Sequence, residues 1–312
     1  MDQAERRLRI GAPVICLVSG KKLAVMGRLA PYLFLLPALA TGLVFVVLPA
    51  AGAFVLSLYQ WDFMSAPEFV GWDNWRQGVI DPGLVQSILS TLRIVALVLP
   101  TSIALGLGLA LLVDGIHVLK TLFRALLFAP FVASLVAISF VWRDLFATQD
   151  GLLNYLLGLV GVPAIPWLTD EGWAPISVAV VGVWQQSGYC MLIYLARLQG
   201  INHELYDAAR IDGATAWQRL LLVTIPQVSP ATFFLVVIGI IGGLQSFESI
   251  YVITGGGPGY ATTTMVYFIY RAAFQEFNVG AAGVMSTLLL ALIALATVIL
   301  WMLQRRMVTY DT

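Results

Sequence analysis

Residues 204–226 read Glu-Leu-Tyr-Asp-Ala-Ala-Arg-Ile-Asp-Gly-Ala-Thr-Ala-Trp-Gln-Arg-Leu-Leu-Leu-Val-Thr-Ile-Pro. The first half of this stretch is the longest interior run of charged and polar residues in a chain that is 60% hydrophobic and only 11% charged. Soluble domains carry about 25% charged residues. Because the stretch lies between two segments long enough to cross a bilayer, the sequence predicts an integral membrane protein with a loop that leaves the membrane here.

Six stretches are long and apolar enough to cross a bilayer, whose hydrocarbon core needs about 20 mostly apolar residues per helix. To within a few residues they are 31–58, 88–113, 121–144, 175–197, 228–252 and 280–303. We therefore predict an all-α, polytopic fold with six transmembrane helices over 30–304, tails at 1–29 and 305–312, and the polar loop at 199–226.

The positions of lysine and arginine set the predicted orientation, because these residues collect on the cytosolic side of membrane proteins. They lie before the first span, between the second and third, between the fourth and fifth, and after the sixth, and the alternate loops are mainly acidic. The basic residues of these four segments are Arg6, Arg7, Arg9, Lys21, Lys22, Arg28, Lys120, Arg124, Arg197, Arg210, Arg219, Arg305 and Arg306, whereas Arg76 and Arg271 lie in the alternate loops. Both termini and the 199–226 loop are therefore predicted to be cytosolic.

The sequence lacks the residue patterns of common enzyme sites. His117 and His203 both fall in predicted cytosolic loops, so no His-Glu-x-x-His zinc helix exists, and Gly20-Lys21-Lys22 lacks the other residues of a phosphate-binding loop. Cys16 and Cys190 are too few for a disulfide framework. We predict that the chain is not an enzyme and itself binds no metal and no cofactor.

The 204–226 stretch has helical periodicity on both sides of Gly213. The glycine is expected to break the helix, and a second segment at 214–224 is expected to end at Pro226, where the next span begins. Two interpretations of this element stay open on physical grounds. The helix face at Ala208 and Ala209, which carries only small side chains, could insert into a groove of a partner. Alternatively, the element could rest on lipid.

The same stretch resembles the Glu-Ala-Ala loop in the membrane subunits of binding-protein-dependent ABC importers. The resemblance rests on Asp207-Ala208-Ala209, on Gly213 and on Val223-Thr-Ile-Pro226. The longer sequence from 204 to 219 is similar to the branch of this family that imports oligosaccharides and glycerol phosphates, which includes maltose-type subunits. Further matches in the same order are 69–75, 122–130, 141–146, 151–154 and 250–258. The similarity covers nearly the whole chain.

This resemblance implies a type I ABC importer permease fold in a bacterial inner membrane, surrounded by lipid, with no nucleic acid as partner. The implied partners are a second homologous permease subunit, a cytosolic ABC ATPase dimer that uses ATP and Mg²⁺, and an extracytoplasmic substrate-binding protein or lipoprotein. The residues that the resemblance assigns to ATPase coupling are Glu204, Asp207, Ala208, Ala209, Arg210, Asp212, Gly213, Ile225 and Pro226, with Arg210 and Asp212 as rim contacts or local ion pairs.

Two positions depart from the pattern of that family. Asp207 stands where the family has Glu, and its shorter side chain could weaken or tilt the contact with an arginine of the ATPase. Ser90-Thr91 stands where an Asn-Thr pair is usual. Neither departure changes the predicted class of protein.

Polar side chains inside the fourth and fifth spans are candidate substrate contacts, because polar groups in a membrane are costly and usually face a cavity or each other. They are Trp184, Gln185, Gln186 and Tyr189 in the fourth span and Gln245, Ser246, Glu248 and Tyr251 in the fifth, where Gln245, Glu248 and Tyr251 are expected on one helical stripe. Amides and aromatic faces suit a sugar. Alternatively, Glu248 pairs with Arg271, Arg93 or Arg143, and the aromatic rings only pack.

Two outer segments complete the predicted site. Gly255-Gly-Gly-Pro-Gly259 is expected to be the most flexible outer stretch and to form a turn after the fifth span, with Gly256, Gly257 and Pro258 as candidate contacts of the binding protein. The outer loop 147–173 is long enough to predict short interfacial helices.

The sequence therefore favours a permease subunit that forms, with a second permease, the path of a di- or oligosaccharide and couples to an ATPase through 204–226. The absence of basic residues in mid-span favours a neutral sugar, and glycerol-3-phosphate or a related polyol phosphate is the alternative substrate. Two alternatives belong to other classes: a secondary transporter, which internal repeats and mid-span carboxylates would favour, and a membrane scaffold without transport activity.

Overall fold

The computed structural model describes residues 32–116 and 118–307. The predicted tail at 1–29, with Cys16, and also His117 and residues 308–312, lie outside the described residues. The chain divides into two compact units after Gly52, and the first unit contributes only the beginning of the first helix to the described residues. From residue 53 onward, the second unit holds all the elements considered for function below.

The described residues form thirteen helices and one pair of two-residue antiparallel strands, in which Tyr59 lies opposite Phe69. In chain order the elements are α1 (Tyr32–Leu56), β1 (Tyr59–Gln60), β2 (Glu68–Phe69), α2 (Asp73–Ile80), α3 (Pro82–Asp114), α4 (Lys120–Val132), α5 (Leu135–Leu145), α6 (Leu152–Leu159), α7 (Trp173–Leu198), α8 (His203–Ile211), α9 (Ala216–Gln227), α10 (Ser229–Leu244), α11 (Glu248–Ile253), α12 (Met265–Tyr270) and α13 (Val279–Met307). π-Helical turns occur at Leu43–Val47, Leu220–Thr224 and Arg271–Gln275.

Four of these helices, α1, α3, α7 and α13, are each long and apolar enough to cross a membrane. Two bent pairs raise the number to six: α4 and α5 meet at 91°, and α9 and α10 meet at 61°. The prediction that the third and fifth spans are single helices is therefore wrong. The six predicted crossings correspond to four continuous helices and two broken ones.

Proline lies near both breaks and explains the one between α9 and α10. Pro130 lies in the last turn of α4, and the backbone becomes extended at Ala133 before α5 begins. Pro230 has no N–H for the carbonyl of Pro226, so the chain bends at Val228. The predicted helix end at Pro226 is also wrong, because α9 continues through Gln227 and the bend follows it.

The packing core is built where α3 and α7 lie side by side. Gly106 of α3 lies directly against the backbone at Cys190 of α7, and Gly182 of α7 lies against Val98. Small residues allow this close approach in membranes. Two glycines of α10 also pack on α3: Gly239 contacts Leu99 and Gly243 contacts Val95, whereas Gly242 has open space beside it. Met191, Leu195 and Leu235 belong to the buried apolar cluster beside this contact between α3 and α7.

The loop between α1 and α2 is held by a carboxylate turn. Asp62 accepts hydrogen bonds from the backbone N–H and the hydroxyl of Ser65, both at 2.7 Å, and from the N–H of Met64 at 3.0 Å. These bonds, the one from the Ser65 backbone first, lower the pKa of Asp62 to about 2. The Asp62 carboxylate is therefore ionised at any physiological pH and stabilises this turn.

The second outer loop is organised by Asn154, a buried residue of α6. Its Nδ2 donates to the carbonyls of Thr148 at 3.0 Å and Ile165 at 2.9 Å, and its Oδ1 accepts from the N–H of Ile165 and from Nε1 of Trp167. One side chain therefore satisfies four polar groups of the loop that precedes α7. The prediction of a short helix in this loop is confirmed by α6.

Replacing Asn154 by alanine is expected to lower the free energy of unfolding by about 2–4 kcal/mol, because it leaves several buried donors and acceptors without partners. Protease cleavage within 147–172 should become faster in the purified protein. Gln149→Ala is the matched control, since that side chain is exposed in the same loop. Equal cleavage rates in both variants would contradict the role assigned to Asn154.

Candidate functional site

A cavity of about 180 Å³ lies between α3, α7 and the α10–α11 junction. This is far larger than the roughly 10–15 Å³ that one water molecule needs. Its polar side is formed by Gln185, Gln186, Gln245 and Glu248, and Val98 is part of its apolar side. With Ser246, the structure thus brings together five of the eight side chains that the sequence singled out for a substrate path.

The break between α10 and α11 builds one wall of this cavity. α10 ends at Leu244, Phe247 has φ −138° and ψ −54°, and α11 begins at Glu248. The predicted continuous stripe of Gln245, Glu248 and Tyr251 is therefore wrong. The non-helical segment turns Gln245 and Glu248 into the cavity, whereas Tyr251 lies outside it and stacks on Phe247 with ring centroids 5.5 Å apart.

The other predicted aromatic contacts also lie outside the cavity wall. Trp184 packs edge-on against Trp142 with ring centroids 5.6 Å apart, and Tyr189 stacks on Phe131 at 4.6 Å. Both pairs connect α7 to the broken third span. The alternative interpretation of these rings as packing residues is the one that the structure supports.

Glu248 forms no ion pair within residues 32–116 and 118–307. Two of its predicted basic partners are engaged elsewhere: Arg271 pairs with Glu276 at 3.0 Å, and Arg143 lies 3.9 Å from Asp144. The carboxylate of Glu248 is therefore an acceptor that faces the cavity.

The cavity also contains residues that sequence reasoning did not select. Ser249 of α11 and Val95 of α3 line it, and helical periodicity gave no signal for either because the wall crosses a helix break. Ser246, by contrast, was a predicted candidate; it also lines the cavity, and its buried hydroxyl has no hydrogen-bond partner among the described residues. Buried hydroxyls are normally paired, so Ser246 is available to a polar ligand.

A second feature lies at the other end of α7, where α8 and α9 form a helix–turn–helix element. The Asn202 side chain caps α8 by accepting from the N–H of Glu204 at 3.0 Å. Gly213 turns the chain with φ +76°, a conformation that favours glycine, and Thr215 opens α9 with a capping box. A contact of 3.1 Å between the hydroxyls of Tyr206 and Thr224 joins the two segments. The element is therefore rigid.

The exposed side of α8 carries the predicted coupling residues. Ala208 is exposed and Ala209 is half-buried, so no large side chain covers this part of the helix. Asp207 and Arg210 form an ion pair at 3.1 Å with both side chains 64% exposed. Arg210 thus makes the predicted local ion pair, and no such pair occurs for Asp212 in the part of the chain that the structure describes.

The family model described as "Binding-protein-dependent transport system inner membrane component" matches residues 23–308, which include the cavity and the helix–turn–helix element. The chain belongs to this family. The chain is therefore a permease subunit embedded in a membrane, and the predicted all-α permease fold is confirmed.

Similar proteins include the lactose transport system permease protein LacF of Rhizobium radiobacter, 36% identical over 250 residues that cover 78% of this chain and 83% of LacF. The sn-glycerol-3-phosphate transport system permease protein UgpA of Pectobacterium atrosepticum is 34% identical over 285 residues, covering 90% and 96%. A permease chain in the crystal structure of a bacterial alginate ABC transporter, solved in complex with an alginate pentasaccharide-bound periplasmic protein, has the same fold with a TM-score of 0.79, 22% identity and coverage of 94% and 99%.

The glycine-rich turn of this permease is tied down by threonines. Thr263 donates to the carbonyl of Gly256 at 2.8 Å and Thr262 donates to that of Gly257 at 2.7 Å, and the Gly257–Pro258 peptide bond is cis. These hydrogen bonds hold the turn that was predicted after the fifth span. Gly256 is buried and therefore does not present a contact surface, whereas Gly257 and Pro258 are half-buried.

The Ser90-Thr91 pair, which departs from the usual Asn-Thr, joins α3 to this same turn. Ser90 donates to the carbonyl of Tyr260 at 2.7 Å, and the Thr91 hydroxyl accepts from the N–H of Met265 at 2.9 Å. The serine therefore makes a connection between distant parts of the permease, and the departure from the family pattern leaves no polar group unpaired at this position.

Proposed function

We propose that this permease subunit forms, with a second permease subunit, the path along which a neutral di- or oligosaccharide enters a bacterial cell. The observation that carries the proposal is the cavity that collects Gln185, Gln186, Gln245 and Glu248. Amides supply paired donors and acceptors for sugar hydroxyls, and the unpaired hydroxyl of Ser246 adds one more. Few polar groups in a mostly apolar wall are typical of small-molecule sites.

The charge of the cavity favours a neutral sugar over a phosphate ester. No Lys, Arg or His occurs among the described residues that line it, and the carboxylate of Glu248 would repel an anion. The second candidate substrate, glycerol-3-phosphate or a related polyol phosphate, is supported by the similarity to UgpA alone. A secondary transporter or a scaffold has no support from a specific contact.

We further propose that the α8–α9 element docks, through the exposed face of α8, on a cytosolic ABC ATPase dimer, which binds and hydrolyses the ATP with Mg²⁺. Two features support docking: the exposed helix face with small side chains at Ala208, and the rigid turn at Gly213. A helix face with small residues fits a groove of a partner. Contacts that depend on ATP would then bias a two-state opening of the path. The ion pair with Arg210 holds the Asp207 carboxylate near its own helix, so a contact with an arginine of the ATPase would compete with it.

In the proposed orientation both termini and the α8–α9 element are cytosolic, and the turn with Gly257 and Pro258 faces outward. An extracytoplasmic binding protein would deliver the sugar at that face, in keeping with the periplasmic protein in the structure of the alginate transporter. The half-buried Gly257 and Pro258 are the proposed contacts in this turn.

Replacing Gln186 or Gln245 by alanine is expected to raise the KM for sugar uptake about tenfold, because each change removes one hydrogen-bonding amide from the cavity, worth about 1.4 kcal/mol. Uptake by the complex in vesicles measures this, and co-purification of the ATPase measures assembly, which should be unchanged. Gln275→Ala is the matched control, since Gln275 is exposed outside the cavity. Unchanged uptake kinetics in both cavity variants would count against a substrate path here.

A further inference from the structure

Arg93 lies within α3, a membrane-crossing helix, and its guanidinium has no charged partner in the part of the chain that the structure describes. Its side chain is exposed, and no carboxylate lies within ion-pair distance of it in residues 32–116 and 118–307. A charge in or near the hydrocarbon is costly unless it reaches a counter-charge or the lipid headgroups. The sugar path does not use this residue, so its guanidinium needs another ligand.

The depth of Arg93 follows from the uncharged run that begins after it. From Ile94 to Val113 α3 carries no charged residue, and Asp114 ends the run in an ion pair with Lys120 at 3.0 Å. This run has the length of about 20 residues that a hydrocarbon core of about 30 Å requires. With Asp114 at one boundary, Arg93 lies at the other boundary, at the level of the lipid phosphates.

The neighbouring helix α7 gives the same two boundaries. α3 and α7 run parallel in register, because Val98 lies against Gly182 and Gly106 against Cys190. In this register Arg197, the first charged residue of α7, lies at the level of Asp114. Glu171, just before α7, lies about 9 Å farther from the membrane centre than Arg93, at a rise of 1.5 Å per residue.

Arg93 faces away from the proposed sugar path. It is separated from Val95, which lines the sugar cavity, by about 200° around the helix axis. Its neighbour on the same face, Leu89, is an exposed apolar side chain. The face of α3 around Arg93 therefore suits acyl chains below a headgroup, and not a substrate on the sugar path.

A second cavity, of about 380 Å³, contains Arg93 together with Gln86, Ser90, Glu171 and Tyr260. Glu171 is exposed and, like Arg93, forms no ion pair among the described residues. The cavity thus offers a cation at phosphate level, a carboxylate farther out and the free amide of Gln86 beside them. We propose that it binds the headgroup of an aminophospholipid such as phosphatidylethanolamine, with the phosphate on Arg93 and the ammonium on Glu171.

The pairing of charges decides between lipid classes. Arginine binds phosphate oxygens through two parallel N–H donors, and this contact is open to any phospholipid. A carboxylate beside it favours a headgroup that ends in an ammonium and disfavours the uncharged glycerol of phosphatidylglycerol. The site therefore selects the zwitterionic lipid, and in the proposed orientation it does so in the outer leaflet.

The test uses the intact transport complex in nanodiscs that contain equal parts of phosphatidylethanolamine and phosphatidylglycerol, followed by native mass spectrometry of the lipids it retains. The wild-type complex should retain more phosphatidylethanolamine. Arg93→Gln is expected to lower retention of both lipids about fivefold to tenfold, and Arg93→Lys should keep retention within about twofold because it keeps the charge. Glu171→Gln should remove the preference for phosphatidylethanolamine without lowering total retention.

Arg76→Gln is the control, because Arg76 is an outer, exposed arginine already paired with Asp73 at 3.2 Å, and its lipid retention should equal that of the wild type. The proposal is overturned by equal retention in the wild type, Arg93→Gln and Glu171→Gln. It is also overturned if Arg93→Gln releases the second permease subunit while lipid retention is unchanged, since the guanidinium would then bind that subunit. Neither result bears on the sugar cavity, which the uptake kinetics test separately.

Discussion

Replacing Ala208 by arginine is expected to reduce ATP-driven uptake about 30-fold or more while the permease still inserts into the membrane. Ala208 is exposed on α8, so the larger side chain can extend into solvent without displacing a buried residue, and arginine is a good helix former. The change places a bulky charge on the face that is proposed to enter the ATPase groove. The loss of a central interface contact commonly costs about 2 kcal/mol or more, which corresponds to this factor.

Two measurements accompany this variant: uptake in vesicles and co-purification of the ATPase with the permease. Ala216→Arg is the matched control, because Ala216 is an exposed alanine at the start of α9 on the second segment of the same element. It should retain most of the uptake. If Ala208→Arg keeps both substrate-stimulated ATP hydrolysis and uptake, α8 is not the docking helix.

Replacing Gly106 by valine is expected to have the largest effect on stability. A Cβ at this position would overlap the Cβ of Cys190 and lie 3.0 Å from the backbone N of Met191, so α3 and α7 would have to separate. Overpacking of this kind costs about 3 kcal/mol or more when backbone atoms must move. For a chain of this size the midpoint of thermal unfolding should fall by about 6–12 °C.

Gly108→Val provides a control two positions away on the same helix. Gly108 is exposed, and nothing lies within 4 Å of a Cβ added there. Its variant should unfold within about 2 °C of the wild type. A similar loss of stability in both variants would mean that valine disfavours α3 itself, and that the contact with Cys190 is not the cause.

The number of crossings and the position of the polar loop could be predicted from the sequence because both depend on composition over long windows. The breaks could not. Pro130 was visible as a residue that interrupts a helix, but membrane helices often accommodate proline, and nothing in the local sequence distinguishes that from the 91° bend between α4 and α5. Helical spacing likewise predicted one stripe of Gln245, Glu248 and Tyr251, but the non-helical Phe247 divides it.

Residues to which the sequence assigned the same role also proved to have different surroundings in the fold. Trp184 and Gln185 are adjacent in α7, and only the glutamine reaches the cavity, because the indole is held against Trp142. Gly256 was expected at a contact surface and is buried against Tyr267 and Thr263, which lie beyond it in the chain. Partners of this kind are set by three-dimensional neighbours, which sequence spacing does not report.

The sequence by itself determined that residues 204–226 leave a membrane as a helix–glycine–helix element in a six-span permease. Burial of a helix in lipid depends on the apolar composition of that segment, and the φ of +76° at Gly213 depends on the residue type at that position. Both can therefore be predicted from the local sequence. Only the tertiary structure decided which polar groups share a cavity and that Arg93 and Glu171 line a second one. Those pairings depend on the close packing of α3 on α7, which fixes the register of the two helices through contacts between residues far apart in the chain.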